Sequence, residues 1–139
     1  MMNGLSANAG LFANAYDLSK IMQLYLNGGS YGGEQYFTQA AIDTFTQRHF
    51  ADQGNKRGLG FDKPLLEYDP ERSSVAEAAS QASFGHSGYT GTFVWADPEH
   101  NLLFIFLSNR VYPSRNNRGI YTRNIRPRIH TAIYEAMGE

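Results

Sequence analysis

Phe84-Gly85-His86-Ser87-Gly88-Tyr89-Thr90-Gly91-Thr92-Phe93-Val94-Trp95-Ala96, then Asp97-Pro98-Glu99-His100-Asn101 and Leu102-Leu103-Phe104-Ile105-Phe106-Leu107, read as strands separated by turns. Gln81 to His86 leads into a first strand and Gly91 to Ala96 forms a second. Asp97 to Asn101 is turn chemistry, with proline suited to the second turn position because its ring presets φ. Leu102 to Leu107 is a third strand. Its unbroken apolar character predicts burial on both faces, with helices covering the sheet.

Helices are expected on both sides of this core in sequence. Asn14 is a good N-cap for a helix running to about Asn27, and Asp17 favours the positive helix end. Leu18, Ile21, Met22, Tyr25 and Leu26 have the spacing of one buried face. Gly28-Gly29 stops the helix cheaply in the left-handed conformation. A shorter helix runs from Thr38, as N-cap, to about Gln47 and should bury Ile42 and Phe45. Arg57 to Asp62 alternates like a short extra strand. Residues 63–82 carry few large apolar side chains after Leu66 and read as a long surface excursion, with a helical turn at Val75 to Ala79. A last helix opens near Pro127, with Ile129, Ala132, Ile133, Ala136 and Met137 as its apolar stripe. The sum is an α+β fold: an antiparallel sheet of about three strands plus a short extra strand, with helices packed on it.

Composition narrows the function. The chain has 139 residues, enough for one modest core, so residues 1–139 are read as a single unit. A net charge of −1 argues against a general nucleic-acid binder, which needs a basic excess. Without cysteine, disulfides, thiolate nucleophiles and Cys-based zinc sites are excluded. His49, His100 and His130 lack ligand-like spacing to carboxylates, so neither metal nor cofactor is expected. No run reaches the ~20 apolar residues of a membrane helix. Met1 to Ala7 has neither the basic region nor the apolar segment of a signal peptide. Arg110 to His130 holds six arginines and no acidic residue. A solvated connector whose arginine stems cover apolar surface explains this better than an anion-binding arm.

Chemistry concentrates between Phe84 and Phe93. Glycines at 85, 88 and 91 let another backbone or a ligand approach a strand closely. A histidine among them titrates near neutral pH and can donate hydrogen bonds. Taken alone, the glycines more simply mark a bulge or tight crossing, and His86 a hydrogen-bonded structural residue.

The order of motifs says more. His86-Ser87-Gly88-Tyr89-Thr90-Gly91, then Asp97-Pro98 and the apolar strand ending Leu107-Ser108-Asn109, resembles the Lys-Thr-Gly strand region of class C β-lactamases. It is closer still to β-lactamase-related, penicillin-binding-protein-like serine hydrolases with His in place of that lysine. Asn8-Ala9-Gly10-Leu11-Phe12-Ala13-Asn14-Ala15-Tyr16-Asp17-Leu18 resembles that family's helix entry, and Leu59-Gly60-Phe61 its Gly-aromatic strand. Arg110-Val111-Tyr112-Pro113-Ser114 and Arg126-Pro127 resemble its C-terminal end.

The resemblance implies the C-terminal part of a β-lactamase/transpeptidase-like domain and an acyl-transfer site. His86 would take the lysine position, and the Tyr89 backbone N–H would be an oxyanion donor. Ser87, Gly88 and Gly91 would border the substrate, with Gly88 leaving space for the acyl group. The substrate would be a small molecule or a peptidoglycan-type peptide, and family habit implies an extracytoplasmic location. The family's Ser-x-x-Lys is absent, since no serine is followed by lysine at the third position. Tyr25-Leu26-Asn27 spells the family's second motif but falls at a helix end, out of order. The chain alone is therefore expected to be inactive, its partner being an N-terminal portion of the parent domain. Without that portion the apolar strand edge would favour a homodimer. The alternatives are a non-catalytic peptidoglycan- or peptide-binding module, or the end of a multidomain glycoside hydrolase fusion.

Overall fold

The computed structural model describes residues 10–138. Asn8 and Ala9 of the helix-entry motif, and the N-terminal segment read against a signal peptide, lie outside the described residues. Helix α1 spans Ala15–Leu26, and the Asn14 side chain accepts the Asp17 amide proton as the cap predicts. A two-residue hairpin unforeseen in the sequence, β1 (Ser30–Tyr31) and β2 (Glu34–Gln35), follows. Helix α2 is Gln39–Thr46, capped by Thr38. The main sheet is antiparallel, in the order β3 (Phe84–Ser87), β4 (Phe93–Asp97), β5 (Leu102–Phe106). A single turn of helix, α3 (Gly119–Thr122), precedes α4 (Ile125–Met137). The α+β class is borne out. Among the described residues no helix is long and apolar enough to cross a membrane.

Register sorts the sheet into two faces. Phe84, Ala96 and Leu103 point toward α1, where Met22, Tyr25 and Leu26 meet them together with Phe61. Phe93, Trp95 and Phe104 point the other way, onto Tyr134 and Ile133 of α4 and onto Val75, Ala76 and Ala79. Strand alternation alone sets this division, because successive side chains leave opposite faces.

Several expectations change. Residues 63–82 are a surface excursion only in part, with 66–68 and 70–72 exposed, and Val75 to Ala79 forms a turn closed by the Ala79 amide donating to the Ala76 carbonyl at 3.3 Å. Val75, Ala76 and Ala79 are core, and Lys63, Ser73 and Ser80 are buried with them. Small side chains let this segment tuck against the sheet, where the Ala76 amide donates to His130 Nδ1 at 3.4 Å. The buried Lys63 ammonium donates to the Ala82 carbonyl at 2.7 Å. Arg57 to Asp62 contributes one isolated bridge, Asp62 to Gly85, because Gly60 at φ +90° turns the chain away. In β5 only Phe104 is buried, since among the described residues this strand has one neighbour and is an edge.

The stripe of α4 is also rotated from its expected position. Arg126, His130 and Tyr134 are buried, whereas Ile129 and Met137 are substantially exposed. An aromatic wall selects the rings: His130 stacks on Phe104 with centroids 4.9 Å apart. Ile21 of α1 and Phe45 of α2 are exposed rather than buried, Phe45 lining an open cleft with Tyr25, Phe37 and Leu59.

Candidate active site

Strand β3 carries the site. Among the described residues the pairing on its outer side consists of Asp62 alone, whose amide donates to Gly85 O at 2.8 Å and whose carbonyl accepts the Gly85 amide at 3.0 Å. One residue later, on the α1 side of the sheet, the His86 ring is exposed. Gly85 is obligatory here: an added Cβ would lie 2.1 Å from the Val94 carbonyl. Backbone proximity, rather than a ligand, accounts for that glycine.

The imidazole is oriented from both sides. Nδ1 lies 2.9 Å from the Ser87 carbonyl, which can only accept, so Nδ1 carries the proton. Nε2 then presents its lone pair to Arg57 Nη2, 3.2 Å away. Arg57 Nε in turn faces Asp62 Oδ1 at 3.3 Å. Asp62, Arg57 and His86 thus form one relay along the open edge. Sequence reading had passed over Arg57 and Asp62 as strand residues. The signal available was their alternation with glycines, which shows where side chains point but not what they meet.

The remaining expected residues cluster in the turn after β3. Ser87 is half-buried and pairs in register with Phe93. The Tyr89 amide has no acceptor among the described residues, while its carbonyl accepts from Arg110 Nε at 2.8 Å. The Arg110 guanidinium stacks over the rings of Tyr89 and Tyr121. It also donates to the carbonyls of Arg115 and Asn117. The turn is therefore held from its carbonyl side, leaving the Tyr89 N–H directed elsewhere. Gly88 and Gly91 have packing reasons of their own. A Cβ on Gly88 would meet Thr92 Oγ1 at 2.3 Å, and on Gly91, at φ +99°, Ser108 Oγ at 2.4 Å. Tyr25-Leu26-Asn27 ends α1 and caps it, away from this edge in the chain's order.

Behind the sheet lies a second polar cluster with a structural character. Asp97 is wholly buried and accepts from the Ser80 amide at 2.8 Å, from Ser80 Oγ at 2.6 Å, and from Tyr134 Oη. Burial alone would raise its carboxyl, but the bonds from Ser80, Tyr134 and His100 outweigh that and hold it below the ordinary value. His130, also fully buried, is pushed down to about 4 by loss of solvent, with Asp97 opposing. Neither residue reaches the β3 edge.

Residues 2–125 match the family model described as Beta-lactamase. Two curated relatives, from Salmonella gallinarum and Salmonella paratyphi B, are named as candidate D-alanyl-D-alanine carboxypeptidases. Each is 34% identical over 109 residues, which cover 78% of this chain and 24% of the relative. The chain thus spans about a quarter of the length of these relatives. A solved β-lactamase from Mycobacterium bovis superposes with a TM-score of 0.66 at 22% identity, covering 89% of this chain and 44% of that one. At that identity the likeness concerns the fold.

Proposed function

The chain belongs to the β-lactamase family, and on that premise we propose that it forms the C-terminal part of a serine acyl-transfer hydrolase domain. It would contribute the wall His86-Ser87-Gly88 and one oxyanion donor. The observation that carries this reading is the exposed, hydrogen-bond-oriented His86 on an open strand edge, next to a Tyr89 amide with no acceptor among the described residues. A preorganised N–H aimed at developing negative charge is the kind of group acyl transfer needs, and losing one such donor typically slows reaction ~10²–10³-fold. The names of the Salmonella relatives favour a peptide ending in D-alanine as the substrate class.

No base-activated nucleophile can be assembled from these residues, because Ser-x-x-Lys is absent. The serine would come from polypeptide beyond Met1–Glu139, packed against the open α1 side of the sheet. A protein carrying these residues together with upstream sequence should label with a fluorophosphonate or penicillin probe, on a serine outside this segment. Absence of any labelled serine would remove the hydrolase reading. The 139-residue chain by itself should leave nitrocefin and simple esters intact.

The missing motif also favours a second reading, a non-catalytic module that binds peptidoglycan or peptide. Binding of a D-alanyl peptide by a protein that never labels would select it. Under either reading β5, with β4 as its one strand neighbour among the described residues and Leu107 exposed beyond it, leaves backbone groups open to another strand. The chain should self-associate through this edge, and a monomeric mass by light scattering across the micromolar range would speak against it.

A further inference from the structure

The turn between β3 and β4 is loose by composition. Gly88-Tyr89-Thr90-Gly91 begins and ends on glycine, and Tyr89 is 67% exposed, so core packing does not fix it. Its carbonyls are nevertheless tied one after another. Gly88 O accepts from the Gly91 amide at 3.0 Å, Tyr89 O from Arg110 Nε at 2.8 Å, and Thr90 O from the Arg110 amide at 2.9 Å. The Tyr89 and Thr90 amides have no acceptor among the described residues. Because a peptide is planar, each carbonyl fixes the direction of the amide that follows it. The Gly88 bond thus aims the Tyr89 N–H, and Arg110 holds the next plane, so the turn cannot rotate about Tyr89.

The guanidinium has several anchors of its own. Its Cζ lies 4.4 Å from the centroid of the Tyr89 ring and 5.0 Å from that of Tyr121. Nη1 donates to the carbonyls of Arg115 at 2.9 Å and Asn117 at 3.1 Å. One side chain therefore joins the turn to the segment that follows β5. A lysine ammonium has no plane to lay on the rings and no fork to span these carbonyls.

We propose that Arg110 is a positioning residue, which touches no substrate and holds Gly88 to Gly91 so that the Tyr89 N–H stays aimed at the reacting carbonyl oxygen. The assignment rests on the acyl-transfer reading and names the side chain that supplies its preorganisation. An oxyanion donor is effective when it needs no reordering at the moment of reaction.

The test uses a protein carrying these residues together with upstream sequence. The rate of serine labelling by a penicillin probe is followed against probe concentration. Arg110→Gln should lower the saturating rate about tenfold or more, because a small misplacement of a catalytic donor is costly. The half-saturating concentration should stay within about twofold, since ground-state binding is untouched. Arg110→Lys should keep part of the rate, and millimolar ethylguanidinium should restore part of it to Arg110→Ala. In the 139-residue chain, Arg110→Gln should speed hydrogen exchange at the Gly91 amide and leave the amides of β4 unchanged. An unaltered saturating rate, or a loss confined to the half-saturating concentration, overturns the assignment and leaves the hydrolase reading standing. So does a loss that ethylguanidinium does not reverse, accompanied by faster exchange throughout β4, which marks a general structural role. No labelled serine in the unsubstituted protein removes the hydrolase reading and the positioning role with it, while exchange at Gly91 still reports whether Arg110 holds the turn.

Discussion

Against α4 the centre of the sheet is sealed by large rings, and against α1 a smaller buried cluster is bordered by an open cleft. On the α4 face Trp95, Phe93 and Tyr134 are each 1% exposed, and even the polar groups Asp97 and His130 have lost all solvent. On the α1 side Met22, Phe84 and Ala96 are buried, but around them Phe37 and Phe45 are half-exposed along a cleft of about 380 Å³. The candidate site lies on this unfinished side. The sealed face saturates Asp97 with hydrogen bonds, although Trp95 Nε1 and His130 Nε2 stay buried there without a partner among the described residues, whereas an open edge keeps its donors within reach of a ligand. Asp97 and Arg57 illustrate the two conditions: one carboxylate saturated with bonds, one guanidinium with a nitrogen to spare.

Mutations should reproduce the contrast. The largest loss is expected from Phe104→Ala on the sealed face. Its ring contacts Phe93, Phe106 and His130, so the cavity should cost about 3–5 kcal/mol by urea unfolding. A cost under about 1 kcal/mol would mean that this face is less tightly packed than its burial implies.

Acid should act on the same face. The unfolded chain protonates His130 below about 6.5, but the native ring takes a proton only near 4. The ring's contribution is thus complete above pH 6.5 and is lost as pH falls toward 4. With roughly 1.4 kcal/mol per unit, the total is about 3 kcal/mol. Asp97, whose carboxyl is held low, adds to the loss further down in the acid range. His130→Phe should flatten the dependence of unfolding free energy on pH between 4 and 6.5. A slope equal to that of the parent chain would assign the acid sensitivity elsewhere.

The smallest effect is expected on the open side. Phe45 is 53% exposed, and Phe45→Ser should change stability by no more than about 0.5 kcal/mol. A loss near that of Phe104→Ala would show that the α1 side closes in solution.

The helix caps, the turn after β4 and the strand alternation were all readable, because Asn14, Thr38 and Asp97-Pro98 act on backbone atoms within a few residues. His86, Ser87 and Tyr89 were readable through motif order. Arg57 and Asp62 were not, since the meeting of Arg57 with His86 depends on Gly60, at φ +90°, turning one segment beside another 29 positions away. The stripe of α4 was misread for a related reason. Hydropathy ranks Ile129 above His130, but ring stacking on Phe104 and the bond from Tyr134 to Asp97 outweigh that ranking.

By itself the amino-acid order determined the α+β class, the helix and strand positions near their caps and turns, and the family likeness. These depend on short-range sterics, hydrogen bonding and periodicity. Tertiary structure alone decided which small residues of the 63–82 segment enter the core, which face of α4 turns inward, and which cation stands beside His86. Each of those depends on the shape and charge of a surface contributed by distant parts of the chain, and no local pattern encodes that surface.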